Sequence, residues 1–309
     1  MIKEPIIVGN NTPYPLKGQL VLPANAVGPV PAVVFVHGSG SSNMDEKVGK
    51  LTPFKDLAEG LAKHGIASIR YDKRSFAHGM KMMKDRDLVI TVREETIEDA
   101  ILATELLRND PRIDPERVFL VGHSMGGMLA PRIDAEGGNY KGLVLMAGSP
   151  RKLEEIMAGQ TEGILNDLSG PLKWFVGKQM GKILRMFDGL YDRTDAEAKR
   201  KKIGGGTTLY YFKEMGEHPV SDYLEKLEKP LLIMQGEKDV QVRADLDFVL
   251  YQQLLQGKPQ VTFRLYEGLN HAFVPALYSS VAKATKEFSK ERNIGEDVIT
   301  DLANWIQSV

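Results

Sequence analysis

The sequence predicts an α/β fold, a mostly parallel central sheet with helices on both faces, on three observations. Short, nearly continuous apolar runs recur along the chain, segments of helical periodicity lie between them, and residues 150–223 break that alternation. Continuous apolar runs are strands buried on both faces, and strand–helix alternation implies right-handed crossovers between parallel neighbours. The 309 residues read as a single domain, 1–309, with 150–223 as a helical insertion within it.

The buried runs are Val33-Val34-Phe35-Val36, Ile66-Ala67-Ser68-Ile69, Val118-Phe119-Leu120-Val121, Leu143-Val144-Leu145-Met146 and Leu231-Leu232-Ile233-Met234. Val261 to Tyr266 alternates instead, which suits a strand nearer an edge. The stretch from Tyr14 to Pro23 is expected as an antiparallel hairpin added at the sheet's edge. Among the helices, the clearest opens at Thr91-Val92-Arg93-Glu94 with capping-box spacing. It carries Ile97, Ala100 and Ile101 on one face and stops before Asn109-Asp110-Pro111. The insertion is rich in Trp174, Phe175, Met180, Met186 and Phe187, followed by a charged helix and Gly204-Gly205-Gly206. Set between two core strands, above their carboxyl ends, it is placed to act as a lid.

Apolar residues make up 42% and charged residues 26%, a globular balance that argues against disorder. The net charge of −1, without a basic face, argues against nucleic-acid binding. There is no cysteine, which excludes disulfides, thiolate catalysis and cysteine-ligated metals. No stretch approaches the roughly 18 apolar residues that span a bilayer, and the amino terminus lacks a signal peptide's apolar core. A cytoplasmic protein is expected, and a homodimer is compatible with this composition.

Gly122-His123-Ser124-Met125-Gly126-Gly127 is the sharpest motif. It follows a buried run and precedes a helical segment, the strand–turn–helix setting of a nucleophile elbow. Such a turn strains the serine, leaves no room for side chains at the flanking positions and lifts the hydroxyl clear of the sheet. A helix amino terminus behind it favours developing negative charge. Serine needs a base. Of the six histidines, His271 lies just after the last strand, where a loop can reach back over the sheet. His123 should point away from the hydroxyl, His37 should shape its loop, His64 ends a helix, and His78 and His218 carry no motif. The orienting acid should follow another strand end: Asp239, three residues past Gly236, is favoured over Glu237. A tetrahedral oxyanion needs two backbone N–H donors, expected from Met125 and from Ser39 in His37-Gly38-Ser39-Gly40. The phosphate-loop patterns that the glycines could otherwise signal are absent.

From about Leu20 onward the chain resembles the α/β-hydrolase superfamily, most similarly bacterial carboxylesterases related to the dienelactone-hydrolase and prolyl-oligopeptidase catalytic domains. The resemblance rests on His37 to Gly40, Tyr71-Asp72-Lys73-Arg74, Gly122 to Gly126, Gly236-x-x-Asp239 and Asn270-His271. It implies a nucleophile, acid and base at Ser124, Asp239 and His271, in the order that superfamily uses, with no metal and no cofactor. One departure, Ser75-Phe76-Ala77-His78-Gly79 in place of a glycine-rich loop, bears on the substrate. Ester hydrolysis on a small-molecule substrate is expected, with Trp174, Phe175 and Tyr210 as pocket residues. The rivals are amide or peptide cleavage, acyl transfer, and a silent ligand-binding member.

Overall fold

The computed structural model describes residues 1–204 and 206–309. Eight strands form the main sheet: β1 (Ile2–Val8), β2 (Leu16–Leu22), β3 (Val30–Val36), β4 (Ala67–Tyr71), β5 (Ile113–His123), β6 (Leu143–Met146), β9 (Leu231–Gly236) and β10 (Val261–Tyr266). Two short strands, β7 (Lys202–Gly204) and β8 (Thr207–Thr208), pair apart from it. The order is β1-β2-β4-β3-β5-β6-β9-β10, parallel from β4 to β10. At the other end β1 and β2 are antiparallel. The edge hairpin is therefore larger than its expected bounds: Leu16–Leu22 is one arm, and the amino-terminal Ile2–Val8 is the other.

The continuous apolar runs are explained by two cores, one on each face. Along β3, Val33 and Phe35 join one core while Ala32, Val34 and Val36 join the other. β5 and β9 divide their side chains in the same way. Successive strand residues point to opposite faces, so a sheet covered on both sides has no polar positions in its middle strands. One face is covered by α1 (Pro53–Lys63) and α12 (Glu296–Ser308). α1 buries Phe54, Leu57, Ala58 and Leu61 at helical spacing. The opposite face holds α3 (Glu98–Arg108), α4 (Met125–Ile133) and α10 (Val249–Leu254). Each fully buried Leu, Val, Ile or Phe contributes roughly 1.5–3 kcal/mol. Ahead of α3, Thr91 N–H and Oγ1 both donate to Glu94 Oε2, at 2.8 and 2.5 Å. The first turn, Arg93–Ile97, is a π-turn.

Between β6 and β9 the chain leaves the sheet and forms α5 (Leu153–Asn166), α6 (Gly170–Leu184), α7 (Asp195–Arg200), the β7–β8 ribbon, α8 (Leu209–Gly216) and α9 (Val220–Glu225). α9 packs on α4, and α8 on α5. α6 lies against α5 and buries none of its residues. Trp174 and Phe175, expected in the pocket, instead stand 67% and 55% exposed on this outer helix. Their helix packs on a layer that already covers the site, so its aromatic residues face solvent. No helix among the described residues is long and apolar enough to cross a membrane. The double substitution Trp174→Ser, Phe175→Ser is expected to change unfolding free energy by less than about 0.5 kcal/mol in urea titration. A loss of several kcal/mol would mean that both rings are packed.

Candidate active site

Ser124 follows directly on β5, with φ 54° and ψ −119°, a conformation that costs a non-glycine residue on the order of 1–3 kcal/mol. Its N–H donates to the Met146 carbonyl at 2.8 Å, and its carbonyl accepts from Met128 N–H at 3.1 Å, so both neighbouring elements hold the strained turn. A Cβ at Gly122 would come within 2.2 Å of the Gly126 carbonyl oxygen, and one at Gly126 within 2.1 Å of the Val36 oxygen. Those approaches require glycine on both sides of the serine. Met125 opens α4, where an N–H has no partner inside the helix. On the other side, a Cβ at Gly38 would meet Ser124 Cβ at 3.1 Å, which places the loop of Ser39 against the serine.

Asp239 is buried on the turn after β9 and uses both oxygens fully. Oδ1 accepts the N–H groups of Gln241 and Val242, at 2.8 and 3.0 Å. Oδ2 accepts Gln235 Nε2 at 2.9 Å and faces His271 Nδ1 at 2.6 Å. That contact fixes the His271 proton on Nδ1 and leaves Nε2 free to accept one. Glu237, the rival acid, accepts Gly268 N–H at 3.0 Å and staples two loops together instead. The His271 loop is shaped by Asn270, whose Oδ1 accepts Ala272 N–H at 3.0 Å and whose Nδ2 donates to buried Glu287. Ser39, Ser124 and His271 line one cleft. Ser124 Oγ makes no hydrogen bond to His271 among the described residues, and such bonds commonly tighten only with substrate bound.

A second cavity, of about 380 Å³, opens on the other side of Ser124 and is roofed by α5 and α8. Met125, Met128, Ile156, Met157 and Phe212 supply its apolar walls. Tyr210 does not line it. At helical spacing Tyr211 and Phe212 turn inward, leaving Tyr210 under Lys199 Nζ, 4.3 Å from its ring centre. No group of three or more potential metal ligands is gathered among the described residues.

Residues 33–283 match the alpha/beta hydrolase family. The chain belongs to that family. It is 33% identical over 297 residues to Esterase EstD of Thermotoga maritima, covering 94% of this chain and 65% of EstD. This hydrolase-family chain thus spans about two-thirds or less of that relative's length. Two solved esterases share its fold at 16% identity. That of Pyrococcus furiosus has a TM-score of 0.58, over 99% of this chain and 91% of its own. The hyperthermophilic esterase of Pyrobaculum calidifontis has a TM-score of 0.59, over 99% and 85%.

Beneath the candidate site lies a set of charges that no motif announces. Glu46, 5% exposed, accepts Gly38 N–H on Oε1 at 2.7 Å and sets Oε2 3.0 Å from His123 Nδ1. The second contact is an ion pair without good hydrogen-bond alignment. His123 Nε2 lies 2.9 Å from the His271 carbonyl oxygen. With an acceptor at each ring nitrogen, the imidazolium is the form that fits. From the other side, Lys73 Nζ donates to the Gly38 carbonyl at 2.9 Å. The peptide groups around Gly38 are therefore clamped at both ends. His37 is buried, with Nε2 3.0 Å from the Asn43 carbonyl, and burial takes its pKa down to about 4.

Burial, the largest influence on His123, pushes its pKa down, and Glu46, with the His271 carbonyl and Asp239, more than offsets this, so the value lies above 6.5. Burial likewise pushes Glu46 up, while His123 and the Gly38 N–H bring it below 4.5. The raised histidine contributes stability in full below pH 6.5 and loses it as pH rises through its folded pKa. The lowered carboxylate contributes above pH 4.5 and loses it as pH falls. Glu46→Gln keeps an acceptor for Gly38 but removes the charge. It is expected to cost about 1–3 kcal/mol, less than a fully broken buried ion pair because His123 can shed its proton. Thermal unfolding between pH 5 and 9 should show the largest gap near pH 5–6, narrowing as pH rises. A gap that stays constant or widens with pH would sink the assignment.

Proposed function

We propose that this chain is a serine hydrolase of carboxylic esters, working through an acyl-enzyme on Ser124. The observation that carries the reading is the serine held at positive φ on a cleft shared with His271, whose other nitrogen is fixed by Asp239. Ser124 Oγ attacks the ester carbonyl while His271 Nε2 takes its proton. The N–H groups of Ser39 and Met125 receive the oxyanion. The C–O bond to the alcohol then breaks, and His271 returns the proton to the departing oxygen. Water, deprotonated by the same nitrogen, attacks the acyl-enzyme and releases the acid and free serine. Asp239 holds the imidazole's tautomer throughout. The ester-acting relatives named above support the reaction class.

The two cavities meeting at Ser124 suit the two halves of an ester. The proton donor must reach the leaving oxygen, so the alcohol belongs in the cleft that contains His271. The acyl chain belongs in the 380 Å³ cavity, which lies on the Met125 side and does not include His271. Its methionine-rich walls adapt to differing apolar shapes, so an acyl group of moderate size fits best. The roof of α5 and α8 acts as the lid that keeps water from this chamber.

Hydrolysis of p-nitrophenyl esters from acetate to decanoate tests the reading. Ser124→Ala is expected to lose about 10³-fold or more in kcat, and Asp239→Asn on the order of 10³–10⁴-fold, with both variants still folded. A wild type that cleaves no ester and takes no label from a fluorophosphonate probe would make the chain a binding member of its family.

A further inference from the structure

The acyl cavity has a mixed wall, with Met82, Met128, Ile156 and Phe212 beside Gln160 and Thr207, and Glu95 is the one charged side chain among the described residues that line it. Glu95 lines it from the π-turn ahead of α3 and is 9% exposed. Its Oε2 accepts the Tyr211 hydroxyl at 2.7 Å and lies 3.5 Å from Lys73 Nζ. Oε1 makes no hydrogen bond among the described residues and is accessible from the cavity. Ser75, on α2 (Arg74–Lys84), lines the same cavity, and its Oγ is buried without a partner. α2 packs against the π-turn that carries Glu95. A carboxylate oxygen that faces a cavity is an acceptor for whatever donor group occupies that cavity.

We propose that Glu95 is the acceptor site for a hydroxyl group carried on the acyl chain of the substrate. The proposal rests on the ester-hydrolase reading and names its substrate class: esters of hydroxylated, otherwise apolar acids of moderate length. Two features select a neutral hydroxyl. Lys73 already neutralises the carboxylate, so an ammonium group would face that cation as well as the anion, and a second carboxylate would face Glu95. Tyr211 spends its own proton on Oε2, and burial, with Glu95 beside it, raises its pKa, so it stays a neutral donor that keeps the other oxygen free. The same lysine that contacts Glu95 also holds the Gly38 carbonyl beside the oxyanion loop, so one side chain links the two sites.

The test is a pH-stat comparison of methyl hexanoate with methyl hydroxyhexanoates whose hydroxyl is walked from C3 to C6, corrected with enzyme-free controls. The wild type is expected to favour at least one hydroxylated ester by about tenfold or more in kcat/KM. Glu95→Gln should bring that ratio down several-fold, whatever it does to the absolute rates. Because the readout is a ratio within one protein, partial loss of folded enzyme does not alter it. A wild type that cleaves methyl hexanoate but favours no hydroxylated ester overturns the proposal and leaves the esterase reading standing. So does a preference that Glu95→Gln leaves unchanged. A wild type inert to every ester overturns the esterase reading and this one with it.

Discussion

Glu46 is the residue on which the geometry of the site depends. Its two oxygens reach two different loops: Oε1 holds the Gly38 N–H, and Oε2 faces His123 in the elbow. His123 in turn contacts the carbonyl of His271. One buried carboxylate thus couples the loops of Gly38, Ser124 and His271, which leave the sheet at the ends of β3, β5 and β10. Each of those loops could move by itself through rotations about its own backbone. The buried Glu46–His123 pair and the His123–His271 contact tie them to one another. Under the proposed ester hydrolysis, a displacement of about 1 Å at such a site would be costly in rate, and this coupling is what local packing would contribute to it.

The sheet explains why such a tie is needed. Strands buried on both faces contribute rigidity but almost no polar groups, because their side chains go to the two cores. All the chemistry is pushed into the turns at their carboxyl ends, where backbone is least constrained. The protein restrains those turns with buried polar residues: Asn270 and Glu287 at the histidine loop, Gln235 at the acid, Glu46 and Lys73 at the oxyanion loop. The positive φ of Ser124 persists for the same reason, because β6 and α4 both hold its peptide groups.

What could be read from the sequence follows from range. The buried runs, the elbow with its two glycines, and the strand-end positions of Asp239 and His271 are all set within a few residues of chain. Glu46 is not legible that way, since it sits in a loop without periodicity and its partner His123 lies far along the chain. The pocket aromatics failed for a related reason. Helical spacing identifies one apolar stripe but not which layer it meets, and α6 turned out to lie outside the layer that roofs the site. At Tyr210 the error was a single residue, because Tyr211 and Phe212 hold the inward phase. The edge hairpin was placed correctly, but its second arm, Ile2–Val8, shows only a short apolar run. It has too few buried positions to announce itself.

Lys73 joins the two ends of this site in a way that bears on how substrate and transition state are distinguished. It contacts the Gly38 carbonyl on one side and the Glu95 carboxylate on the other. Burial lowers its pKa, and Glu95 opposes that shift. A group bound at Glu95 would therefore alter the charge that Lys73 feels, and Lys73 in turn holds the peptide next to Ser39, the proposed oxyanion donor. A substrate group that satisfies Glu95 would draw negative charge away from the lysine and strengthen its hold on Gly38. Binding energy gained at the far end of the acyl chain would then be expressed at the reacting carbonyl, in kcat as well as in KM.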